Sequence, residues 1–427
     1  MTSRTPPLDS PYSSSRYRNY VLVILTVSYA FNFIDRQLIS ILQESIKQDL
    51  ALTDTQLGLL TGFAFAVFYV TAGIPVARWS DRGNRRNIIS LAIGVWSFMT
   101  AISGACANYT QMLLARIGVG IGESGGTPPA HSMISDIYPA EQRATAISIY
   151  SLGINIGVMF GFLLGGILNE YLGWRWAFVI VGLPGILLAL VIKTTVKEPV
   201  RGWSEATPTP EASYTFMEVL NSITSNPVTR QFFIAAMIFS VGGYGVFNWL
   251  APFFIRSHEI GTASLGMWLS LSIGLFGGIG TFVSGVLTDR FGKHNKGWYM
   301  WIPAIAAIGI VPLYLIIFTT QNTPLALWLN FIPSMMLAIY IGPGIAVLHA
   351  SVKPAMRATA SALFYFVVNI IGLGLGPTII GGVSDYLTPS YGQDALRIAM
   401  LVIIPSAMAW SALHFYLAGH ALANKSS

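Results

Sequence analysis

The stretch PAEQRATA at residues 139–146 is repeated as PAMRATA at residues 354–360. In the two copies Arg-Ala-Thr-Ala stands 214 residues apart, and an asparagine follows at the same offset, as Asn155 and Asn369. Repetition over this distance indicates two halves of related structure. The repeat therefore predicts a chain in which one architecture is used twice.

The chain that carries these stretches is predominantly apolar. Hydrophobic residues make up 53% of the 427 residues, charged residues make up 10%, and the mean hydropathy is +0.61. Soluble domains carry about 25% charged residues. The apolar residues fall in runs of about 20, which is the length that an α-helix needs to cross ~30 Å of hydrocarbon. We therefore predict an all-α membrane protein.

Each half contains six apolar runs, so we predict twelve transmembrane helices in two six-helix bundles that are related by a parallel repeat. Between the bundles, apolar residues at helical spacing in 214–225 favour a short interfacial helix, with an irregular linker as the alternative. The predicted units are a disordered cytoplasmic tail (1–19), an N-terminal bundle (20–194), a cytoplasmic linker (195–229), a C-terminal bundle (230–420) and a second tail (421–427).

Lysine and arginine are distributed unevenly between the two sides of the predicted membrane. Of the 24 basic residues, four lie on the side opposite the termini and two lie inside spans, which leaves 18 on the side of the termini. Such an excess marks the cytoplasmic side, so we predict that both termini are cytoplasmic. Because these residues are dispersed over loops, the net charge of +6 does not call for a nucleic-acid partner.

Two loops at equivalent places in the halves share a charged motif. They read DRGNRR at 81–86 and DRFGK at 289–293. Both resemble the loop signature Gly-x-x-x-Asp-Arg-x-Gly-Arg-Arg/Lys of the major facilitator superfamily, although Ala77 and Asn84 replace two glycines in the first copy. Aspartates beside basic residues can pair with the neighbouring bundle, whereas the alternative is a basic loop that only fixes topology. The predicted cytoplasmic gate consists of Asp81, Arg82, Arg85, Arg86, Asp289 and Arg290.

Four ionisable residues lie inside predicted spans, Asp35 and Arg36 in the first span and Arg116 and Glu123 in the fourth. A charge at the centre of a membrane helix costs ~2.5–3.5 kcal/mol on insertion scales, so such residues are usually paired and functional. Arg116 and Glu123 are two turns apart and share a helix face. Matching depths favour an Asp35–Arg116 pair. A buried carboxylate beside an arginine can exchange a proton, whereas the alternative is a network that only joins the two helices.

The sequence around these charges resembles one branch of the same superfamily. RIGVGIGE at 116–123 is similar to the superfamily motif Arg-x-x-x-Gly-x-Gly, and its acidic end, together with FIDR at 33–36, resembles the Spinster-like branch over essentially the whole chain. The resemblance implies a major facilitator fold. It also implies proton-coupled transport, by alternating access, of an amphipathic lipid such as a lysophospholipid or a sphingoid phosphate.

Roles for individual residues follow from this resemblance. Asp35 and Glu123 would carry the protons, and Arg36 and Arg116 would act as counter-ions or bind the head group of the substrate. Aromatic side chains beside Arg36 and the two repeat-related asparagines are candidates for the cavity wall, although such residues can instead pack or hydrogen-bond between helices. The cavity candidates are Phe31, Phe33, Asn155 and Asn369.

Other classes of function find little support in the sequence. An intramembrane enzyme would need a nucleophile with its base or a metal cluster, and a nucleotide-driven pump would need a phosphate-binding loop of the Walker type. We identify neither, and the single Cys106 excludes an internal disulfide. We therefore expect no enzymatic activity, no cofactor and no bound metal.

The expected partners are a small amphipathic or anionic substrate, protons and the lipid bilayer, with no nucleic acid. We expect a monomer that is integral to a plasma membrane or a bacterial inner membrane. Within transport, the alternative to a lipid carrier is a proton-coupled organic-anion or drug carrier. Outside transport, the alternatives are a membrane receptor, which the span count disfavours, and an intramembrane enzyme.

Overall fold

The computed structural model of the protein describes residues 11–201 and 214–426. These residues form twelve long helices and contain no β-strand. The first six helices pack together as an N-terminal bundle and the last six as a C-terminal bundle. The predicted all-α fold of two six-helix bundles is therefore confirmed.

Six helices form the N-terminal bundle. They are α1 (Ser15–Leu50), α2 (Asp54–Arg82), α3 (Arg85–Ser103), α4 (Tyr109–Glu123, continued by Thr127–Ile137), α5 (140–172) and α6 (174–195). The last two lie in one helical segment, Ala140–Thr195, which turns at Gly173, where the backbone φ is 82°. Glycine adopts this left-handed conformation without steric cost, so the turn between α5 and α6 depends on that residue.

The C-terminal bundle repeats this arrangement. Its helices are α7 (Pro227–His258), α8 (Thr262–Gly292), α9 (Trp298–Thr319), α10 (Thr323–Ser351), α11 (357–391) and α12 (Ala395–Ser426). Nine segments of the described chain are apolar and long enough to cross a membrane. Two of these segments hold two helices each, α5 with α6 and α11 with α12, and α4 falls short of the length because residues 124–126 interrupt it.

The first helix begins earlier than predicted. A short 3-10 helix at Pro11–Ser13 precedes α1, which starts at Ser15, so the predicted disordered tail at 1–19 is wrong for residues 11–19, while 1–10 lie outside the described residues. The physical reason is a contact with the end of α6, where Tyr17 Oη donates a hydrogen bond to the carbonyl of Thr195 at 2.9 Å. This contact fixes the start of the chain against the N-terminal bundle.

The segments outside the bundles are also helical. α12 continues to Ser426, so the predicted boundary between the bundle and the tail, after residue 420, falls inside this helix, and residue 427 is not described. In the linker a short helix occupies Phe216–Ser225, and a capping box starts it. Thr215 Oγ1 accepts from the backbone N–H of Glu218 at 3.3 Å, while Glu218 Oε2 accepts from that of Thr215 at 2.7 Å.

The linker helix has one apolar face in contact with protein. Val219 and Ile223 are buried in the core of the C-terminal half, whereas Phe216 and Met217 are each 57% exposed. Residues 202–213 of the predicted linker lie outside the described residues. An apolar face left exposed at the edge of a bundle is typical of a helix that lies on a membrane surface, and this position stays a prediction.

The contact between Tyr17 and Thr195 places the beginning of α1 beside the end of α6. An even number of helices separates these two points, so both lie on one side of the bundles. We call this side, which also holds the linker helix, the terminal face. The opposite side, with the turns at 51–53 and 259–261, is the distal face.

On the distal side the bundles touch through two equivalent helix pairs, α2 with α11 and α5 with α8. Gly58 of α2 faces the carbonyl of Pro377, and Gly166 of α5 faces the carbonyl of Thr262. Cβ atoms at these two glycines would lie only 2.5 and 2.2 Å from the carbonyl oxygens. The absence of a side chain therefore permits the close contact of the bundles.

Carboxylates exchanged between the bundles reinforce this contact. Asp385 of α11 accepts hydrogen bonds from the backbone N–H groups of Asp54 and Thr55, at the start of α2, at 2.9 and 2.7 Å. Glu170 near the end of α5 accepts one from the N–H of Ala263, at the start of α8, at 2.7 Å. Helix N-termini carry free N–H groups and partial positive charge, which carboxylates satisfy. Each bundle thus caps a helix of the other, and the distal side is closed.

Removal of both caps is expected to open the distal side. In the double variant Asp385→Ala/Glu170→Ala, two helix N-termini lose partners worth about 0.5–2 kcal/mol each. Spin labels on the distal ends of the two bundles should report longer distances by double electron–electron resonance. Asp394→Ala is the matched control, because Asp394 pairs with Arg397 of its own bundle. Unchanged distances in the double variant would contradict the role of the caps.

Candidate functional site

The four charged residues predicted inside the membrane lie together between α1 and α4, and we call them the charge centre. Arg36 Nε lies 2.6 Å from Glu123 Oε2. Asp35 Oδ2 accepts a hydrogen bond of 2.8 Å from the hydroxyl of Thr100 on α3. Arg116 is 1% exposed and its Nε and Nη1 have no hydrogen-bond partner among the described residues. The centre therefore contains one formed ion pair and one cation whose hydrogen bonds are incomplete.

The glycines of α4 bring this centre into the bundle. A Cβ on Gly122 would lie 2.7 Å from the backbone nitrogen of Trp96 on α3, and one on Gly120 would lie 2.9 Å from the carbonyl oxygen of Phe65 on α2. Small residues let helix backbones approach closely. The Gly-x-Gly pattern that precedes Glu123 thus packs α4 tightly on both neighbours and holds its charged face towards α1.

The ion pair differs from the one that the sequence predicted. The expected Asp35–Arg116 pair is wrong, since no ion pair within 4.0 Å joins them and Arg36 binds Glu123 instead. The reason is the direction of helical side chains, which lean towards the N-terminus of their own helix. α1 begins at the terminal face and α4 at the distal face. Arg36 therefore extends towards the depth of Glu123, whereas Arg116 leans away, towards the distal face.

Three aromatic rings surround the guanidinium group of Arg36. Its Cζ lies 5.0 Å from the ring centroid of Phe33, 4.9 Å from that of Phe65 and 4.9 Å from that of Tyr69. Each contact of this type is worth roughly 0.5–2 kcal/mol, depending on desolvation. The Arg36 side chain is 16% exposed, whereas that of Glu123 is fully buried. Arg36 is thus the member of the charge centre that a ligand can reach.

The other residues of this site were found only in part from the sequence. Phe33 lies at the centre as predicted, but Phe31 lies about 140° around α1 from Arg36, on the side of α6. Thr100 and Tyr69 were missed. Tyr69 follows Phe65 by one helical turn, so the two rings lie on the same face of α2, and this spacing in the sequence could have identified Tyr69 as a neighbour of Arg36.

The predicted asparagines lie near the contact between the bundles. The amide of Asn155 is 3.2 Å from where a Cβ on Gly278 of α8 would stand, so Asn155 faces the opposite bundle. Asn369 donates a hydrogen bond of 2.7 Å to the carbonyl of Tyr365 in its own helix. Asn155 is therefore a candidate for a surface that changes when the bundles move, whereas the amide of Asn369 is bonded within α11, at the start of its π-helical stretch Val368–Leu375.

At the terminal face, the predicted gate residues separate into two groups. Four are exposed and have no hydrogen bond or ion pair to any other described residue, and these are Asp81, Arg82, Asp289 and Arg290. Arg85 is fully buried in the N-terminal bundle, where it pairs with Asp136 and, at 2.7 Å, with Glu198. The backbone N–H of Arg86 also donates to Glu198, at 2.8 Å. Asn84, which replaces a motif glycine, caps α3 by accepting from a backbone N–H.

We identified no nucleophile from the sequence, but residues 122–126 were overlooked there, since they read Gly-Glu-Ser-Gly-Gly and match the Gly-x-Ser-x-Gly pattern of some hydrolases. Ser124 is 3% exposed, and its hydroxyl donates to the carbonyl of Ile121 at 2.7 Å. A serine bonded within its own helix turn is not presented as a nucleophile. Within the described chain, no group of three or more His, Cys, Asp or Glu residues could hold a metal ion.

The chain is similar to known membrane transporters over nearly its whole length. Residues 25–377 match the family model described as the Major Facilitator Superfamily. An MFS-type efflux pump of Mycolicibacterium smegmatis is 30% identical over 399 residues, which cover 92% of this chain and 91% of the pump. The sphingosine-1-phosphate transporter SPNS2 of Danio rerio is 26% identical, and the alignment covers 87% of this chain and 77% of that protein.

A solved structure of a transporter is also similar to this chain in sequence and in fold. The crystal structure of a bacterial homologue of the human lysosomal transporter Spinster, in an inward-facing and unoccupied conformation, is 32% identical in sequence. It superimposes with a TM-score of 0.85 over 96% of this chain and 98% of that one. The predicted resemblance to the superfamily and to its Spinster-like branch is confirmed.

The exposed gate residues lead to a prediction for the opposite conformation. If Asp81 and Asp289 join the bundles when the terminal face closes, the double variant Asp81→Ala/Asp289→Ala should disfavour that state. Spin labels across the terminal face should then show a smaller short-distance population. Glu141→Ala, which removes an exposed acid at the start of α5, should leave the distribution unchanged. Identical distributions in the double variant and the wild type would leave the motif with a topological role only.

Proposed function

Because the chain belongs to the major facilitator superfamily, we propose that it is a proton-coupled transporter that carries an amphipathic anion by alternating access. The preferred substrate is a lipid with a phosphate head, such as a lysophospholipid or a sphingoid phosphate. One observation carries this proposal. Arg36 is the accessible cation of the charge centre, three aromatic rings surround it, and a carboxylate already occupies it.

The ion pair supplies a way to couple the proton to the substrate. Arg36 in contact with Glu123 offers little charge to a second anion. A proton on Glu123 removes the competing carboxylate, and the guanidinium can then bind the phosphate head group with strong, charge-assisted hydrogen bonds. Proton and anion would therefore each promote the binding of the other, which is positive linkage between two sites.

The other two charges would act behind this pair. Asp35 has a hydroxyl as its hydrogen-bond partner rather than a cation, so a second proton can neutralise it without breaking an ion pair. Arg116 shares a helix face with Glu123 and has buried donors without partners. It is placed to act as the counter-ion of whichever carboxylate is charged. In this proposal Arg36 binds the head group and Arg116 balances charge. The sequence had given both roles to both arginines without distinguishing them.

We infer the direction of access from the charges and contacts of the two faces. The excess of basic residues on the terminal side favours a cytoplasmic terminal face. With the distal face closed, this conformation corresponds to an inward-facing state, as in the bacterial Spinster homologue. Separation of the distal caps, with closure at the terminal face, would expose the charge centre to the other side of the membrane.

An organic-anion or drug carrier is the second candidate function. The similarity to the MFS-type efflux pump favours it, because that protein is matched across 91% of its length. An arginine surrounded by aromatic rings also accepts any flat or hydrophobic anion. The two candidates differ in whether a long apolar chain contributes to binding.

The coupling role predicts a loss that is specific to the proton gradient. Glu123→Gln and Asp35→Asn should each abolish transport driven by a pH gradient in proteoliposomes, because neither amide can be protonated in this range. Helix content should stay close to that of the wild type, which shows that the variants still fold. Asp394→Asn, a surface change far from the centre, should have no effect. Gradient-driven transport in both variants of the charge centre would refute proton coupling through these residues.

The head-group role predicts a division between head and tail. Arg36→Ala should weaken the binding of a lysophospholipid about 10- to 100-fold, since hydrogen bonds to charged groups are worth ~1.5–3 kcal/mol. Binding of an uncharged amphiphile with the same chain should change little. Longer chains should strengthen binding in wild type and variant alike, by at most ~0.8 kcal/mol per buried CH₂. If a small hydrophilic anion binds as tightly and chain length has no influence, the organic-anion function replaces the lipid assignment.

A further inference from the structure

α1 carries a second polar surface between the charge centre and the distal face. One face of α1 carries Arg36, Ser40, Gln43, Glu44 and Lys47, which lie in a sector of about 100° because an α-helix turns about 100° per residue. A rise of ~1.5 Å per residue places Lys47 ~16 Å beyond Arg36 along the helix. Polar side chains thus extend in one line from the accessible arginine to the distal end of α1.

This surface faces α7 of the other bundle. Ser40 Oγ donates to Asn248 Oδ1 at 3.3 Å, and Gln43 Nε2 donates to the carbonyl of Asn248 at 2.9 Å. Asn248 Nδ2 donates in turn to the carbonyl of Tyr244 at 2.9 Å. We call Ser40, Gln43 and Asn248, all at most 5% exposed, the polar seam.

A charged cluster closes the distal end of the seam. Arg256 of α7 lies 2.7 Å from Glu44 Oε2 and 2.8 Å from Asp54 Oδ1, and Lys47 Nζ lies 2.6 Å from the same oxygen of Asp54. Two cations and two carboxylates from three helices thus meet where the seam would otherwise open to the distal side. The two contacts of Arg256 cross between the bundles, so they must break when the distal face opens, whereas the pair of Lys47 and Asp54 lies within the N-terminal bundle.

The polar seam contains a buried hydrogen-bond acceptor without a partner, which a purely structural contact would not be expected to leave. Gln43 is fully buried, yet its Oε1 has no hydrogen-bond partner among the described residues. A buried acceptor without a partner is costly, and buried polar residues in membrane helices are usually functional. α1 and α7 belong to different bundles, so separation of the bundles would also free the hydroxyl of Ser40 and the amide of Asn248. These groups would then need water as partner, and together they offer several hydrogen bonds to it.

The geometry points to the polar seam as the route by which water and protons reach Glu123 from the distal side when that side opens. The inference rests on the proposed proton coupling and deepens it by assigning the path. Water held by Gln43, Ser40 and Asn248 connects the distal cluster to Arg36, beside which Glu123 lies. In the present conformation the seam is buried and is closed by the Arg256 cluster.

The charged groups that face Glu123 come from the helices packed around it. Arg36 of α1 is in direct contact with it, and Arg116 lies on its own helix. Asp35 of α1 shares the same buried space and is held by Thr100 of α3. The seam delivers a proton into a centre of two cations and two carboxylates, where the carboxylate on the side of Arg36 is the first that it meets.

The test compares two identical substitutions on α1. Gln43→Leu removes the central amide of the seam. Gln37→Leu removes another buried glutamine whose Oε1 also lacks a partner, but Gln37 packs against Gly161 of α5 in its own bundle. Transport of lysophosphatidic acid, a single-chain phosphate lipid, is measured in proteoliposomes with and without a pH gradient. Gln43→Leu should lower the gradient-driven rate about tenfold, because protons must then cross an apolar stretch, whereas Gln37→Leu should retain it.

The outcomes separate this inference from the proposed function. If the wild type itself ignores the gradient, proton coupling fails and the seam has no role. If the wild type is coupled and Gln43→Leu is coupled equally well, the seam alone is refuted. An equal loss in Gln37→Leu would also refute it, since the effect would then follow from packing in α1.

A second measurement decides the matter if Gln43→Leu does not fold. The single cysteine permits a Cys106→Ser background, in which Ser40→Cys is treated from the distal side with a membrane-impermeant methanethiosulfonate during turnover. Ile41→Cys is the matched control, because Ile41 is fully buried against Gly165 of its own bundle. Reaction of Ser40→Cys but not of Ile41→Cys would support a water-filled seam. No reaction of Ser40→Cys, or equal reaction of both, would overturn it.

Discussion

The ion pair between Arg36 and Glu123 is the interaction on which the rest of the structure depends. Charges in a low-dielectric interior are tolerated when they are paired, and removal of one partner leaves the other at high cost. A proton on Glu123 or an anion on Arg36 changes this pairing without any mutation. The ion pair is therefore a natural point for coupling two ligands, since each ligand replaces a contact that the other also affects.

α1 connects this pair to the movement of the bundles. Along one face it carries Arg36, then the polar seam with Asn248, and finally the cluster around Arg256. The contacts of Ser40, Gln43 and Glu44 on this face reach α7 of the opposite bundle. The distal caps and the glycine contacts of α2 and α5 lie at the same level of the molecule. Opening of the distal side thus breaks polar contacts and leaves groups that water can satisfy, which lowers the cost of separation.

The sequence predicted the architecture well and the details of the site less well. Repeated motifs and apolar runs are properties of whole helices, so the twelve helices and two bundles followed from them. The four intramembrane charges were located because unpaired charges there are rare. The predicted pair of Asp35 and Arg116 was wrong because it was based only on the depth of each residue in the membrane. Depth does not take account of the direction in which each side chain leans along its helix. Phe31 was misplaced and Thr100 missed for a related reason, since neither the rotation of α1 nor the identity of its neighbours is visible in a single sequence.

The two carboxylates of the charge centre lie in different environments, which would make them unequal partners in the proposed coupling. Glu123 is bound to a cation that reaches accessible space, whereas Asp35 is bound to a hydroxyl in the packed interior. Under the proposed function, neutralisation of Glu123 changes what Arg36 can bind and would therefore act directly on the substrate. Neutralisation of Asp35 changes only the charge that surrounds Arg116, which no ligand reaches in this conformation. In the proposed mechanism the charge centre therefore separates two tasks. The pair of Arg36 and Glu123, beside the aromatic rings, would bind the substrate, whereas the buried Asp35 and Arg116 would balance the charge.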